Sequence, residues 1–140
     1  MKRVWILALV AAVGTAAAGD LTIKAANYAV VGYIGVDGAV KDASYRVLGY
    51  VEGGVVKDAS YRVLGYVEGG VVKDASYRVL GYYEDGTVKD ASYGVRGYVE
   101  GGAIKTSSYA VVGYYEPAEN VAARDPRLAA YLFFFSEMLQ

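Results

Sequence analysis

The chain has 140 residues, with 14 basic and 15 acidic side chains, 55% hydrophobic residues, 18 Gly, 15 Tyr and neither His nor Cys. That length is about one domain's worth, and the near-zero net charge gives no bulk attraction for nucleic acid or an anionic membrane. Lacking Cys and His, the chain has no disulfide, thiolate or imidazole metal ligand, cysteine nucleophile, catalytic triad or ordinary general base near neutral pH.

The first segment reads as an export signal. Lys2 and Arg3 form a basic head, Val4 to Val13 an apolar run, and Ala16-Ala17-Ala18 the small residues that suit cleavage before Gly19. About ten to twelve apolar residues rise only some 15–18 Å as a helix, half of the ~30 Å hydrocarbon core, so a membrane anchor is disfavoured. The expected mature chain is therefore exported, periplasmic or extracellular. Without Cys it must hold its fold by packing and backbone pairing alone.

A sixteen-residue repeat fills most of the remaining chain. Val55 to Gly70 recurs at once from Val71, with weaker copies from Ala39, Thr87 and Ala103, and a degenerate one over 22–33 makes six units. Tyr45, Tyr61, Tyr77, Tyr93 and Tyr109 are spaced sixteen apart, as are the Gly-Tyr pairs from Gly49-Tyr50 to Gly113-Tyr114. The Gly35-Val36-Asp37-Gly38 turn carries one extra residue, so the first step is seventeen. Tyr, Val and Thr favour pleated structure, while Gly would cost a helix about 1 kcal/mol per residue.

Glu-Gly-Gly and Glu-Asp-Gly between apolar runs are hairpin-turn chemistry. Lys-Asp-Ala-Ser before each Tyr offers a second corner, because Asp and Ser bond back to the main chain. Each unit thus predicts strands near 61–67 and 71–73, about twelve in all. A two-residue Gly69-Gly70 loop sets Glu68 opposite Val71, Val67 opposite Val72, Tyr66 opposite Lys73 and Gly65 opposite Asp74. Val63, Gly65, Val67 and Val72 then form the expected core face, with Leu64, Tyr66, Glu68 and Lys73 outside. Identical units must close or stack, and tight turns favour a closed shallow barrel or radial ring of hairpins over a solenoid. Such strands are also short for an outer-membrane barrel, which needs about 9–11 residues each.

After residue 117 the repeat stops. Asp125-Pro126-Arg127 is a helix start, and Leu128 to Phe135 is apolar on every side. Small Val and Gly side chains cannot fill a twelve-stranded ring, so this segment, helical or extended, is expected to plug its centre. The core plug is assigned to Leu128, Leu132, Phe133, Phe134 and Phe135. The domain reading is a signal over 1–18, a repeat domain over 19–117 and a plug over 118–140.

An exported chain of Gly-Tyr hairpins with Asp-Gly or Gly-Gly turns and a Phe-rich end resembles the bacterial β-flower family, specifically the 5-fold β-flower proteins. The likeness rests on Ile23-Lys24, Val56-Lys57-Asp58, the Gly32-Tyr33 to Gly113-Tyr114 pairs, Asp37-Gly38 and Leu132 to Phe135. It implies a shallow radial β-barrel, akin in architecture to tubby-like barrels threaded by an apolar helix, and carries no functional residues. The six units depart from the family's five.

Three repeated sets could carry chemistry. The Asp ladder (Asp42, Asp58, Asp74, Asp90) lacks the second acidic ligand of a Ca²⁺ loop and reads as turn capping. Arg46, Arg62 and Arg78 with Glu52, Glu68, Glu84 and Glu100 read as surface charges that keep a repetitive sheet soluble. Tyr50, Tyr66, Tyr82, Tyr98 and Tyr114 would ring the barrel, either packing between hairpins or binding a ligand such as a glycan. Catalysis needs one distinguished site, and each repeat carboxylate has several copies, so no catalytic residue, enzyme activity, metal or cofactor is expected. The expectation is a monomeric, non-catalytic structural or binding module of the cell envelope. Lipid association through the Phe-rich end and glycan binding through the Tyr ladder are the alternatives.

Overall fold

A computed structural model describes residues 19–140. The export signal read over 1–18 lies outside them. Twelve antiparallel strands follow one another around a closed barrel: β1 (Leu21–Ala25), β2 (Val30–Ile34), β3 (Ala39–Asp42), β4 (Val47–Glu52), β5 (Val55–Asp58), β6 (Val63–Glu68), β7 (Val71–Asp74), β8 (Val79–Glu84), β9 (Thr87–Asp90), β10 (Val95–Glu100), β11 (Ala103–Thr106) and β12 (Val111–Glu116). The pairing of β6 with β7 follows the register expected from a two-residue loop, from Gly65 opposite Asp74 to Glu68 opposite Val71. Four such hairpins form petals with a two-residue turn, and a fifth, β2–β3, turns through Val36-Asp37-Gly38. The first and last strands make the sixth: β1 and β12 pair in the equivalent register, Thr22 opposite Glu116 to Ala25 opposite Gly113.

The second junction in each unit is a three-residue corner. Tyr61 N donates to Asp58 O and Asp58 N to Arg62 O, while Asp58 Oδ1 accepts from the amides of Ser60 and Arg62. The corner closes only if its third residue takes a left-handed conformation, and Tyr61 does so at φ 69°. Tyr28, Tyr45, Tyr77, Tyr93 and Tyr109 repeat this. A left-handed L-residue costs about 1–2 kcal/mol.

Beyond each corner a bulge changes the facing pattern. Val56 pairs with Gly65 but Lys57 pairs with Val63, so Leu64 is the extra residue. The expected core face is corrected here. Val63 turns outward, 38% exposed, and Leu64 turns to the interior with Leu48 and Leu80. Away from the bulge alternation holds: Gly65, Val67 and Val72 face in, while Tyr66 and Lys73 stay half-buried outside. One β-branched residue per short strand, Ile23, Val40, Val56, Val72, Val88 and Ile104, is 0–2% exposed.

The C-terminal segment threads this ring. A helical turn α1 (Asn120–Ala123) crosses the tight-turn end, where the Tyr83 hydroxyl donates to the Ala123 carbonyl. Asp125 caps α2 (Pro126–Ala130), accepting from Arg127 N at 2.9 Å. The Arg127 guanidinium lies against Asp125 at 2.6 Å and donates to the carbonyls of Gly19 and Gly35, tying entry to wall. Leu128, Ala129 and Ala130 are fully buried on the axis, and a π-helical turn over Tyr131–Phe135 continues to the corner end.

The wide π turn splays its side chains, and the wall receives them where it has no Cβ. A methyl group added at Gly81, Gly65 or Gly49 would sit 2.5–2.7 Å from the rings of Phe133, Phe134 and Phe135 respectively. Gly32 faces Tyr131, Gly97 faces Leu139 and Gly113 faces Met138, each at 2.8 Å by the same measure. Six petals thus meet six plug side chains, one glycine each. Leu132 points into the same core and is 2% exposed.

Gly65→Ala is expected to lower unfolding free energy by about 3 kcal/mol in a denaturant titration, the upper end of overpacking, since the Lys73 carbonyl blocks retreat. Gly69→Ala, with open space around it but φ 57°, should lose only about 1 kcal/mol. Equal losses would contradict the glycine–phenylalanine fit.

The backbone amides of Arg46, Arg62 and Arg78 are the main influence holding Asp42, Asp58 and Asp74 below the usual 3.8. Because their folded pKa is depressed, their share of stability is present above 3.8 and lost as pH falls through the folded values. Carboxyl NMR titration should give midpoints under 3.8 for all three, and one at or above it would remove the corner caps from the account.

Candidate binding surface

The outer wall carries one aromatic cluster per petal. The left-handed Tyr61 packs edge-to-face on Tyr50 with ring centroids 4.6 Å apart, and Lys57 Nζ sits 4.7 Å from the Tyr61 ring centroid. Tyr77 on Tyr66, Tyr93 on Tyr82 and Tyr28 on Tyr114 repeat the contact, with Tyr109 tilted on Tyr98. Each edge-to-face pair is worth about 0.5–1.5 kcal/mol and an exposed cation–π contact about 0.5–1. Together they offset the backbone cost of the corner. A glycine there would remove the strain and the ring with it.

The ladder singled out in the sequence, Tyr50, Tyr66, Tyr82, Tyr98 and Tyr114, is thus half-buried, each ring covered on one side by its corner neighbour. The rings that project are Tyr28, Tyr45, Tyr61, Tyr77, Tyr93 and Tyr109, 53–63% exposed. Their sixteen-residue spacing from Tyr45 onward was visible, but not that the corner would lift them above the Gly-Tyr ring. That required knowing which residue of Asp-Ala-Ser-Tyr takes the left-handed conformation.

Acidic partners complete the cluster. Tyr61 and Tyr77 hydroxyls donate to Glu52 and Glu68 at 3.1–3.2 Å, the main influence raising both phenol pKa values. The same carboxylates lie 3.7 and 4.0 Å from Lys57 and Lys73. Arg46, Arg62 and Arg78 pair with Asp42, Asp58 and Asp74 at 3.1–3.2 Å and remain 80–85% exposed. Charge is therefore balanced locally, and the projecting aromatic edges are the feature repeated six times.

The plug residues meet two environments. Leu128 and Leu132 are buried, whereas Phe133, Phe134 and Phe135 seat one edge on the wall and remain half-buried at the corner end. There they line an open basin of ≈ 690 Å³ with Leu48, Leu64, Ser136, Glu137 and Gln140. Among the described residues, no group of three or more Asp or Glu could hold a metal ion, and no helix is long and apolar enough to cross a membrane.

A family model described as 5-fold beta-flower protein matches residues 12–77. No curated protein and no solved structure matches the chain. The matched stretch takes in the first petals and the β6–β7 turn, whose register continues unchanged around the ring. Over residues 12–77 the chain is similar to the 5-fold β-flower proteins.

Proposed function

We propose that the protein is an exported, non-catalytic binding module of the cell envelope, and that it engages extended polysaccharide through its ring of corner tyrosines. The observation that carries this reading is the projection of one tyrosine edge from each of six petals, more than half exposed at every position. Sugars present apolar C–H faces to which aromatic side chains offer apolar area, and a chain of repeating sugars can touch several sites at once. Individually weak contacts then give useful avidity. Repetition also argues against catalysis, because no acid or base in the petals is distinguished from its copies.

Retention on peptidoglycan or polysaccharide beads tests the reading. Combined Tyr61→Asn, Tyr77→Asn and Tyr93→Asn keeps a residue that tolerates the left-handed corner and removes three rings. Elution should shift by about tenfold or more in competitor concentration, since each lost contact multiplies into the avidity. Unchanged retention would end the proposal.

A second reading, lipid association at the corner end, draws support from the apolar basin over Phe133, Phe134 and Phe135. Flotation with vesicles is its measure. A protein that floats and becomes protease-sensitive at Phe133 to Phe135 would favour it, and one that stays in the dense fraction would remove it.

A further inference from the structure

One petal departs from the others in a way that leaves a site. In five petals the lysine of the short strand meets a glutamate two residues beyond the Gly-Tyr tyrosine: Lys24 with Glu116, Lys57 with Glu52, Lys73 with Glu68, Lys89 with Glu84 and Lys105 with Glu100, at 2.9–4.0 Å. In the β2–β3 petal Tyr33 stands opposite Lys41 as Tyr50 stands opposite Lys57, but the residue two beyond Tyr33 is Gly35. Lys41 consequently makes no ion pair among the described residues, though it keeps its place 5.3 Å from the Tyr45 ring centroid. Among the described residues the Tyr45 hydroxyl, like those of Tyr28, Tyr93 and Tyr109, lacks the carboxylate acceptor that Glu52 gives Tyr61 and Glu68 gives Tyr77.

Beside Gly35 lies a pocket of ≈ 260 Å³, and Asp37 Oδ1 stands 2.5 Å from where a Cβ of residue 35 would be. Lys41, Tyr33, Tyr45, Ile34, Asp20 and Asp37 are among its walls. Its shape is held from several sides. Asp20 Oδ1 accepts from Val36 N at 2.7 Å, Asp37 Oδ1 accepts from Ala39 N at 3.1 Å, and Arg127 Nη1 donates to Gly35 O at 2.6 Å. Each aspartate therefore keeps a second carboxylate oxygen for another donor. Neither pairs with Lys41.

We propose that this pocket binds a sugar bearing a carboxylate, whose carboxylate takes the position that glutamate occupies in the other petals. Lys41 Nζ and the Tyr45 hydroxyl would donate to it, a charge-assisted arrangement like the one the protein builds for itself elsewhere. Two aspartates beside one ammonium disfavour a ligand that is only an anion, so the same molecule must bring donors. Sugar hydroxyls supply them, and the half-buried Tyr33 supplies apolar area for a ring face. The inference rests on the glycan reading above and gives it one distinguished, acid-selective site among six petals.

The probe is D-glucuronate, with glucose and acetate as comparators, followed by amide NMR of the intact protein. Glucuronate should give saturable shifts at Gly35 to Lys41 and at Tyr45, and bind about tenfold or more tighter than either comparator. Lys41→Gln should weaken it by about tenfold while Lys73→Gln, in a petal with its own glutamate, leaves it unchanged. Tyr45→Phe, which keeps the ring and its packing, should weaken it as well. Absence of saturable shifts, equal binding of glucose or acetate, or indifference to Lys41→Gln would each overturn the proposal. If glucuronate fails while polysaccharide retention still depends on the corner tyrosines, this site falls and the wider reading stands.

Discussion

The structure depends on a close approach between two surfaces that could not meet if either were ordinary. The wall offers a position without a Cβ in every petal, and the C-terminal segment offers one bulky side chain to each. Gly49, Gly65 and Gly81 receive Phe135, Phe134 and Phe133 in reverse order, because the descending helical turn runs against the sense in which the petals count. Protein interiors are close-packed, so a ring of this size lined by valine and glycine would be hollow without that segment. The wall gives the plug its register, and the plug gives the wall its core.

Consecutive phenylalanines could not serve neighbouring petals from an ordinary α-helix, whose successive residues diverge by about 100°. Six petals divide the circle into sectors of about 60°, so neither an α-helix nor an extended strand, which alternates sides, matches it directly. The π-helical turn over Tyr131–Phe135 widens the spiral, and flexible side chains cover the remaining angle. Met138 and Leu139 return after Ser136 and reach the two sectors the phenylalanines leave, while Tyr131 takes the one beside Gly32.

Much of this was legible in the residues. Val67 opposite Val72 followed from Gly69-Gly70, and the twelve strands followed from six units with two turns each. What was not legible came from irregularities with no compositional mark. The bulge that exchanges the roles of Val63 and Leu64 arises because a three-residue corner must rejoin a strand one residue out of phase. The candidate surface shared that blind spot: Tyr61 and Tyr66 are alike in composition, and only the corner geometry makes one project and the other pack. The β2–β3 pocket was hidden for the opposite reason. The absence of glutamate at Gly35 becomes meaningful only when strand register aligns it with Glu52 and its equivalents.

Closure of the ring by its first and last strands has a consequence for how such a protein can change over generations. Tandem units are readily gained or lost by slippage of their coding sequence, and a simple hairpin array would tolerate either. Here β1 and β12 must still join, and each added unit would bring a glycine with no bulky group to sit upon it. A lost unit would strand one of the tail's side chains. Unit number is therefore tied to the stretch from Tyr131 to Leu139, outside the repeats, and a ring with one unit more or fewer keeps the one-to-one fit only if that stretch changes with it.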